Sequence, residues 1–209
     1  DIGSSSGIMT MEYAKQFKKV IGIDIDKRAI EFAKKNNKTN NIEYLESPIE
    51  DSGLKDETID VVTCSHIYEH VPSDLVLVDE IYRLLKPGGI CYLAAGNKYN
   101  IIEAHYKLPF LSFFPKKVAD AYIRLFTDEK EYYEKHRSLS GLKKLVSRFN
   151  IHDYTLKIIK YPSKFSAEEM LKERTFKYYF YNFIALFGYF LIPTYIWILE
   201  KPVKNKKWD

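Results

Sequence analysis

The sequence predicts an α/β fold: a mostly parallel sheet with helices on both faces. Three observations carry the prediction. Short apolar, β-branched runs at 19–25, 42–45, 59–64 and 90–95 alternate with segments of helical period. The opening heptad Asp1-Ile2-Gly3-Ser4-Ser5-Ser6-Gly7 is rich in small residues and runs straight into one of those helical segments. An acid, Asp24, closes the next apolar run 17 residues beyond Gly7 (24 − 7), near the ~20-residue spacing of a carboxylate that accepts the hydroxyls of a ribose. Small residues let backbone approach a ligand, and the helix start behind them presents unpaired N–H groups.

Taken in order, a strand ends at the heptad. A helix follows over 8–18, with Ile8, Met11, Ala14 and Phe17 on one stripe. A strand over 19–25 leads to a helix over 27–36 with Ile30 and Ala33 inward, closed by the Asn/Lys loop 36–41. Residues 42–45 form a short strand, 48–58 are polar and turn-rich, and 59–64 is a buried strand. Ser73 or Asp74 caps a helix whose inner face is Leu75, Val78, Ile81, Tyr82 and Leu85. Lys86-Pro87-Gly88-Gly89 stops that helix, and 90–95 is strand again. The stretch 101–136 breaks the alternation with an apolar run, 108–115, and a helix over 116–126; an insertion of this length beside a site reads as a lid.

A helix over 138–149, capped by Ser138 or Ser140, precedes a strand over 152–161. A long helix over 166–190 begins charged and ends apolar, Pro193 breaks it, 194–199 is the final strand and the Lys-rich tail frays. The chain thus divides into a cofactor-binding half, 1–97, with its first strand truncated; a lid or substrate insertion, 98–137; and a part that completes the sheet, 138–209. A strand, and usually a helix, is expected ahead of Asp1, so the chain is expected to lack its true N-terminus or to begin unusually late.

A length of 209 residues suits one domain with an elaboration. Apolar residues at 46% and charged residues at 29% mark a globular protein. A net charge of +4, with scattered lysines and no Arg/Lys stripe, argues against nucleic acid as a partner. Cys64 and Cys91 lie in apolar runs and read as two buried thiols rather than a disulfide or a metal site. A cytoplasmic location is expected, with no signal peptide visible before the motif.

Asp1, Gly3 and Gly7 resemble the D/E-x-G-x-G-x-G first motif of class I S-adenosylmethionine-dependent methyltransferases, with Ser5 at the central glycine. The dinucleotide fingerprint G-x-G-x-x-G would need glycines where Ser5 and Ile8 stand. Three further stretches resemble the same family: Glu57-Thr58-Ile59-Asp60-Val61-Val62, Ile67-Tyr68-Glu69-His70-Val71, and Leu84-Leu85-Lys86-Pro87-Gly88-Gly89. Together they cover about 1–97 in the family's order, and the whole looks like a small-molecule methyltransferase of the type 11 and type 23 groups.

The resemblance implies a Rossmann-like, seven-stranded sheet with an antiparallel last strand, and S-adenosyl-L-methionine as cofactor. It places Gly3, Ser5 and Gly7 against the amino-acid part of that cofactor and Asp1 near its ammonium. It gives Asp24 the ribose hydroxyls, Ile25 the adenine face, the Ile49 N–H the ring edge, and Ser65 and His66 the methionine end. The sequence departs from the family at Pro48, where an Asp often accepts from the adenine amino group; Glu46, Ser47 and Glu50 are the available substitutes.

A sulfonium methyl is already activated, so positioning an in-line nucleophile supplies much of the rate. A hydroxyl nucleophile also needs a base. His105, His70 and Tyr106 are the catalytic candidates, His105 foremost because it follows a strand end and precedes Leu108-Pro109-Phe110. His66 and Tyr99 are lesser ones. No metal is expected: His136 and His152 lack ligand-like spacing. Residues 178–199 carry no charge, but Pro193 leaves only 178–191 as helix, short for a span. That helix reads as core or dimer packing, as a greasy substrate wall, or as a contact with the membrane surface, which would put the protein at the inner membrane face. The acceptor is then small or lipid-linked. The competing readings are a non-catalytic, membrane-associated adaptor of the same fold and a nicotinamide-dependent oxidoreductase.

Overall fold

The computed structural model describes residues 1–103 and 105–203. Strands β1 (Val20–Asp24) and β2 (Ile42–Glu46) pair in parallel, from Val20 opposite Ile42 to Asp24 opposite Glu46. Strands β3 (Ile59–Ser65), β4 (Leu85–Gly96), β5 (Asn150–Asp153) and β6 (Thr194–Glu200) form a second sheet in the order β3-β4-β6-β5. The expected single seven-stranded sheet is therefore corrected to a two-stranded and a four-stranded sheet among the described residues. The reason is local: Ile2 alone stands between β1 and β3, bridging Ile23 and Cys64 in parallel, and one bridging residue makes no ladder. The last strand does run antiparallel to β4. Gly88 N–H donates to Lys201 O at 2.8 Å, while at the opposite end Asn97 N–H donates to Pro193 O at 2.8 Å.

Packing divides the described chain into two units. The first holds 1–93, 148–150 and 199–203, and the second holds the rest. β4, β5 and β6 contribute residues to both.

In the first unit, α1 (Ile8–Ala14) is shorter than its apolar stripe suggested. The Lys15 and Gln16 N–H groups bond three residues back, to Glu12 O and Tyr13 O, which tightens and ends the helix. Ile8 and Phe17 are exposed, and the buried residue is Thr10. Helix α2 (Lys27–Asn36) matches its expected bounds, capped by Asp26, with Ile30 and Ala33 fully buried against Tyr44. Helix α3 (Asp74–Leu84) is capped by Ser73, whose hydroxyl accepts from Val76 N–H. Its inner face is Leu77, Val78, Ile81 and Leu84; Leu75 is 58% exposed, because two residues before Leu77 is nearly the opposite side of a helix.

In the second unit, α4 (Lys116–Phe126) forms where expected, and Ala119 and Ile123 pack with Leu111 and Tyr132. Helix α5 (Leu139–Leu145) is capped by Ser138 and ends earlier than expected, before β5 begins at Asn150. The strand expected over 152–161 is mostly helix: β5 ends at Asp153 and α6 (Thr155–Lys160) follows. The Asp153 carboxylate accepts Thr155 N–H at 2.9 Å, and the buried pair Thr155 and Ile159 lies one helical turn apart. The long helix expected over 166–190 contracts to α7 (Phe176–Phe187). Ser166 and Arg174 adopt left-handed φ of 51° and 62°, which interrupts helix, and Thr175 caps the new start. Trp197 and Tyr195 of β6 are fully buried and stack with centroids 5.6 Å apart. The expected fraying tail falls on 204–209, outside the described residues. No helix among the described residues is long and apolar enough to cross a membrane.

Candidate active site

The heptad folds as a tight loop at the carboxyl end of β1. Gly3 and Gly7 take left-handed φ of 73° and 80°. A Cβ on Gly3 would meet the Ile67 side chain, with Cγ1 at 2.9 Å, and one on Gly7 would meet Ala33 Cβ at 3.0 Å and the Tyr44 ring. Only glycine fits either place. Ser5, at the position where the family pattern has glycine, also adopts a left-handed φ of 46° while exposed. Its N–H donates to Asp24 Oδ2 at 2.7 Å, and Asp26 N–H donates to Asp24 Oδ1 at 2.9 Å. Two backbone donors thus fix the Asp24 carboxylate while leaving each oxygen a further lone pair. Asp1 is held by hydroxyls: Thr10 Oγ1 donates to Oδ2 at 2.6 Å and Thr63 Oγ1 to Oδ1 at 2.8 Å.

Two hydroxyls in this region, Ser4 Oγ in the loop and Ser47 Oγ beyond β2, are buried without a hydrogen-bond partner. The Ser47 N–H reaches Asp24 O at 3.1 Å. A glycine cradle, a fixed carboxylate and buried polar atoms in want of partners fit a polar nucleoside ligand such as S-adenosylmethionine.

The structure therefore joins Asp1, Gly3, Ser5, Gly7 and Asp24 in one region of the first unit. Ile25 follows Asp24 and is exposed. Ile49 opens a 3-10 turn after β2 with its side chain buried. Ser65 and His66 lie at the carboxyl end of β3, both exposed, and His66 Nδ1 is 3.2 Å from Oε1 of the buried Glu69. His70 sits on the following turn, its N–H donating to Ile67 O at 3.0 Å. A cavity of about 490 Å³ also opens in this unit; Asp1 and Ile49 line it together with Val20, Ile21, Val61 and Leu84, whereas Gly3, Ser5, Gly7 and Asp24 do not.

His105 and Tyr106 lie in the second unit. His105 Nδ1 is 2.9 Å from Glu103 Oε1, and the N–H groups of His105 and Tyr106 both donate to Glu103 Oε2 at 2.7 Å. Burial, and then the carboxylates of Glu134, Glu129 and Glu103, push the Tyr106 phenol up to about 12. Near neutral pH that phenol keeps its proton, so it can donate a hydrogen bond but takes no proton as a base. Reasoning from sequence missed Glu103, Thr10, Thr63 and Ser4. Only Glu103 left a trace, as a lone acid directly behind Ile101-Ile102.

Comparison with known proteins follows the same division. A family model described as a methyltransferase domain matches residues 1–93. The chain is similar to the ubiquinone biosynthesis O-methyltransferase of Psychrobacter cryohalolentis, 33% identical over 122 residues that make up 53% of this chain and 48% of that protein. The enzyme of the same name from Aliivibrio fischeri is 34% identical over 101 residues, 47% of this chain and 43% of the relative. The chain thus spans about half the length of the curated relatives it matches.

Among solved structures, a SAM-dependent methyltransferase of Methanosarcina mazei aligns with a TM-score of 0.61 at 21% identity, over 98% of this chain and 92% of that one. An S-adenosylmethionine-dependent methyltransferase of Mesorhizobium loti aligns with a TM-score of 0.61 at 15% identity, over 96% and 88%. Over residues 1–93 the chain matches the model of the methyltransferase domain family, and its α/β fold is the one seen in S-adenosylmethionine-dependent methyltransferases.

Proposed function

We propose that this chain transfers a methyl group from S-adenosyl-L-methionine to a hydroxyl of a small or lipid-linked acceptor. The observation that carries the reading is the Asp24 carboxylate, fixed by Ser5 and Asp26 N–H beside a loop that admits only glycine at Gly3 and Gly7. In this reading Asp24 accepts the ribose hydroxyls, and Gly3, Ser5, Gly7 and Asp1 hold the methionine part. Ile25 packs on adenine, the Ile49 N–H serves the ring edge, and Ser65 and His66 border the methionine end. The names of the relatives favour oxygen as the methylated atom and a quinone-like ring as the acceptor class.

The cofactor supplies a methyl group on a cationic sulfur. Held by the Gly3–Gly7 loop and Asp24, it would deliver that methyl to the acceptor oxygen and leave as S-adenosylhomocysteine, while the hydroxyl proton would pass to the base. His105 is that base, while His70 and Tyr106 contact the acceptor. Calorimetry with S-adenosylhomocysteine and with a nicotinamide dinucleotide separates this reading from an oxidoreductase; binding of the dinucleotide alone would end it. Turnover with pooled phenols and catechols separates it from a non-catalytic adaptor. His105→Ala is expected to lower kcat by roughly 10²-fold with S-adenosylhomocysteine affinity unchanged, and full activity in that variant would retire His105 as base.

A finer part of the proposal concerns residues 178–191, read as a contact with a membrane surface. Helix α7 has no buried residue, and Phe176, Phe180, Phe183 and Phe187 recur at spacings of four, three and four residues along one side, all exposed. A dozen residues reach only about 18 Å, so such a helix would lie in the interface rather than cross it. Flotation with anionic liposomes should retain the native chain and lose a Phe183→Asp/Phe187→Asp variant; equal partitioning of the two would remove the membrane contact.

A further inference from the structure

Strands β1 and β3 face each other across a gap whose carboxyl end is already filled. Ile2 bridges Ile23 and Cys64 in parallel, its N–H donating to Thr63 O at 2.9 Å, while Ile23 N–H donates to Asp1 O at 2.9 Å. The Asp1 amino group donates to Ile21 O at 2.8 Å. On the other side of β1, Val20 N–H donates to Asn41 O and Asp24 O accepts from Ser47 N–H. Peptide groups of alternate residues turn to opposite edges of a strand. Ile21, like Ile23, therefore turns its N–H and C=O into the gap, and Val61, two residues before Thr63, does the same from β3. Ahead of Asp1 the gap continues as the cavity of about 490 Å³, which Ile21, Val61 and Ile59 line together with Phe17, Leu54 and Leu84. Register gives its length. Ile59 lies five positions before Cys64 (64 − 59) and Lys18 five before Ile23 (23 − 18), and both line the cavity. Five positions before Ile2 is four ahead of Asp1, a reach of about 13 Å at about 3.3 Å per residue. Burial pushes the Asp1 amino group down to about 6. An ammonium is poorly solvated there, whereas a peptide N–H donates the same bond to Ile21 O with no charge to desolvate.

We infer that the gap is a strand acceptor: it takes one extended, apolar segment of about four residues, joined to the Asp1 nitrogen and running parallel to β1 and β3. The occupant's chemistry follows from the walls. Backbone groups on both sides supply the pairing, so a proline, which lacks an N–H, does not fit. Phe17, Leu54 and Leu84 favour apolar and β-branched side chains, as in a strand buried on both faces. A filled gap also fixes the backbone of Asp1, whose carboxylate is held by the Thr10 and Thr63 hydroxyls. The effect on cofactor binding rests on the proposed function; the strand itself does not.

The test compares two forms of the full chain, one with a valine–isoleucine segment ahead of Asp1 and one with a glycine–serine segment of the same length. Amide hydrogen exchange at Ile21 and Val61, followed by NMR, should be slower in the apolar form by about tenfold or more, and its urea midpoint should be higher. S-adenosylhomocysteine should bind the apolar form more tightly. Equal exchange at Ile21 and Val61 in the two forms overturns the inference. So does an apolar segment that raises the urea midpoint while both amides exchange as before, because it then packs elsewhere. Should the glycine–serine form not fold, circular dichroism decides: folding of the apolar form alone supports the acceptor, and failure of both overturns it. If exchange slows as expected but neither form binds S-adenosylhomocysteine, the strand acceptor stands and the proposed function fails.

Discussion

Asp24→Ala is expected to abolish measurable binding of S-adenosylmethionine and of S-adenosylhomocysteine. Both Asp24 oxygens are already oriented by backbone donors, Ser5 N–H at 2.7 Å and Asp26 N–H at 2.9 Å, so in the proposed reading the carboxylate would meet a ribose without reorganising. Hydrogen bonds to a charged group are worth about 1.5–3 kcal/mol each. Losing two therefore removes about 3–6 kcal/mol, or roughly 10²–10⁴-fold in affinity. The substitution also frees the N–H of Ser5, which would loosen the loop of Gly3 to Gly7. Asp24→Asn keeps one acceptor oxygen and should fall between the two. Calorimetric titration of the three proteins with S-adenosylhomocysteine is the measurement, and native affinity in Asp24→Ala would dismiss this pocket.

Gly7→Val should cost the fold itself. At φ 80° a β-branched side chain is strained by about 1–2 kcal/mol. Its Cβ would also meet Ala33 Cβ at 3.0 Å and Tyr44 Cζ at 2.9 Å, members of the cluster that seats α2 on β2. Overpacking of that kind adds about 1–3 kcal/mol, giving roughly 2–5 kcal/mol in total. Gly53→Val is the matched control, because Gly53 also has a positive φ, 68°, but nothing stands within 4 Å of its added Cβ. Urea unfolding of both variants separates strain from collision. Equal, small losses would show that the loop has room for a side chain at Gly7.

The elements that could be read from sequence are those decided within a few residues. Asp26 and Ser73 cap α2 and α3 through their own backbone neighbours, and Ile30 and Ala33 share a face because they lie three apart. Gly3, Gly7 and Asp24 were legible for the same reason, since the loop's conformation is written in its small residues. What could not be read depends on partners far along the chain or on unusual backbone. The Thr63 hydroxyl reaches Asp1 across 62 positions, and nothing near either residue announces it. Left-handed backbone at Ser166 and Arg174, neither a glycine, cut the long amphipathic pattern before α7. Along 154–161 the apolar residues suit a strand and a single helical turn alike, and the Asp153 carboxylate on Thr155 N–H favours the turn.

Cys64 and Cys91 are wholly enclosed in adjacent strands, and burial pushes the Cys64 thiol up to about 12 and the Cys91 thiol well above its ordinary value. Alkylating reagents attack thiolates, so near neutral pH these sulfurs are inert in the closed molecule. They become reactive only when the packing over that sheet face opens. The speed of their modification is thus a built-in clock for breathing of the central sheet, and a ligand that binds only the closed form slows it in proportion to occupancy.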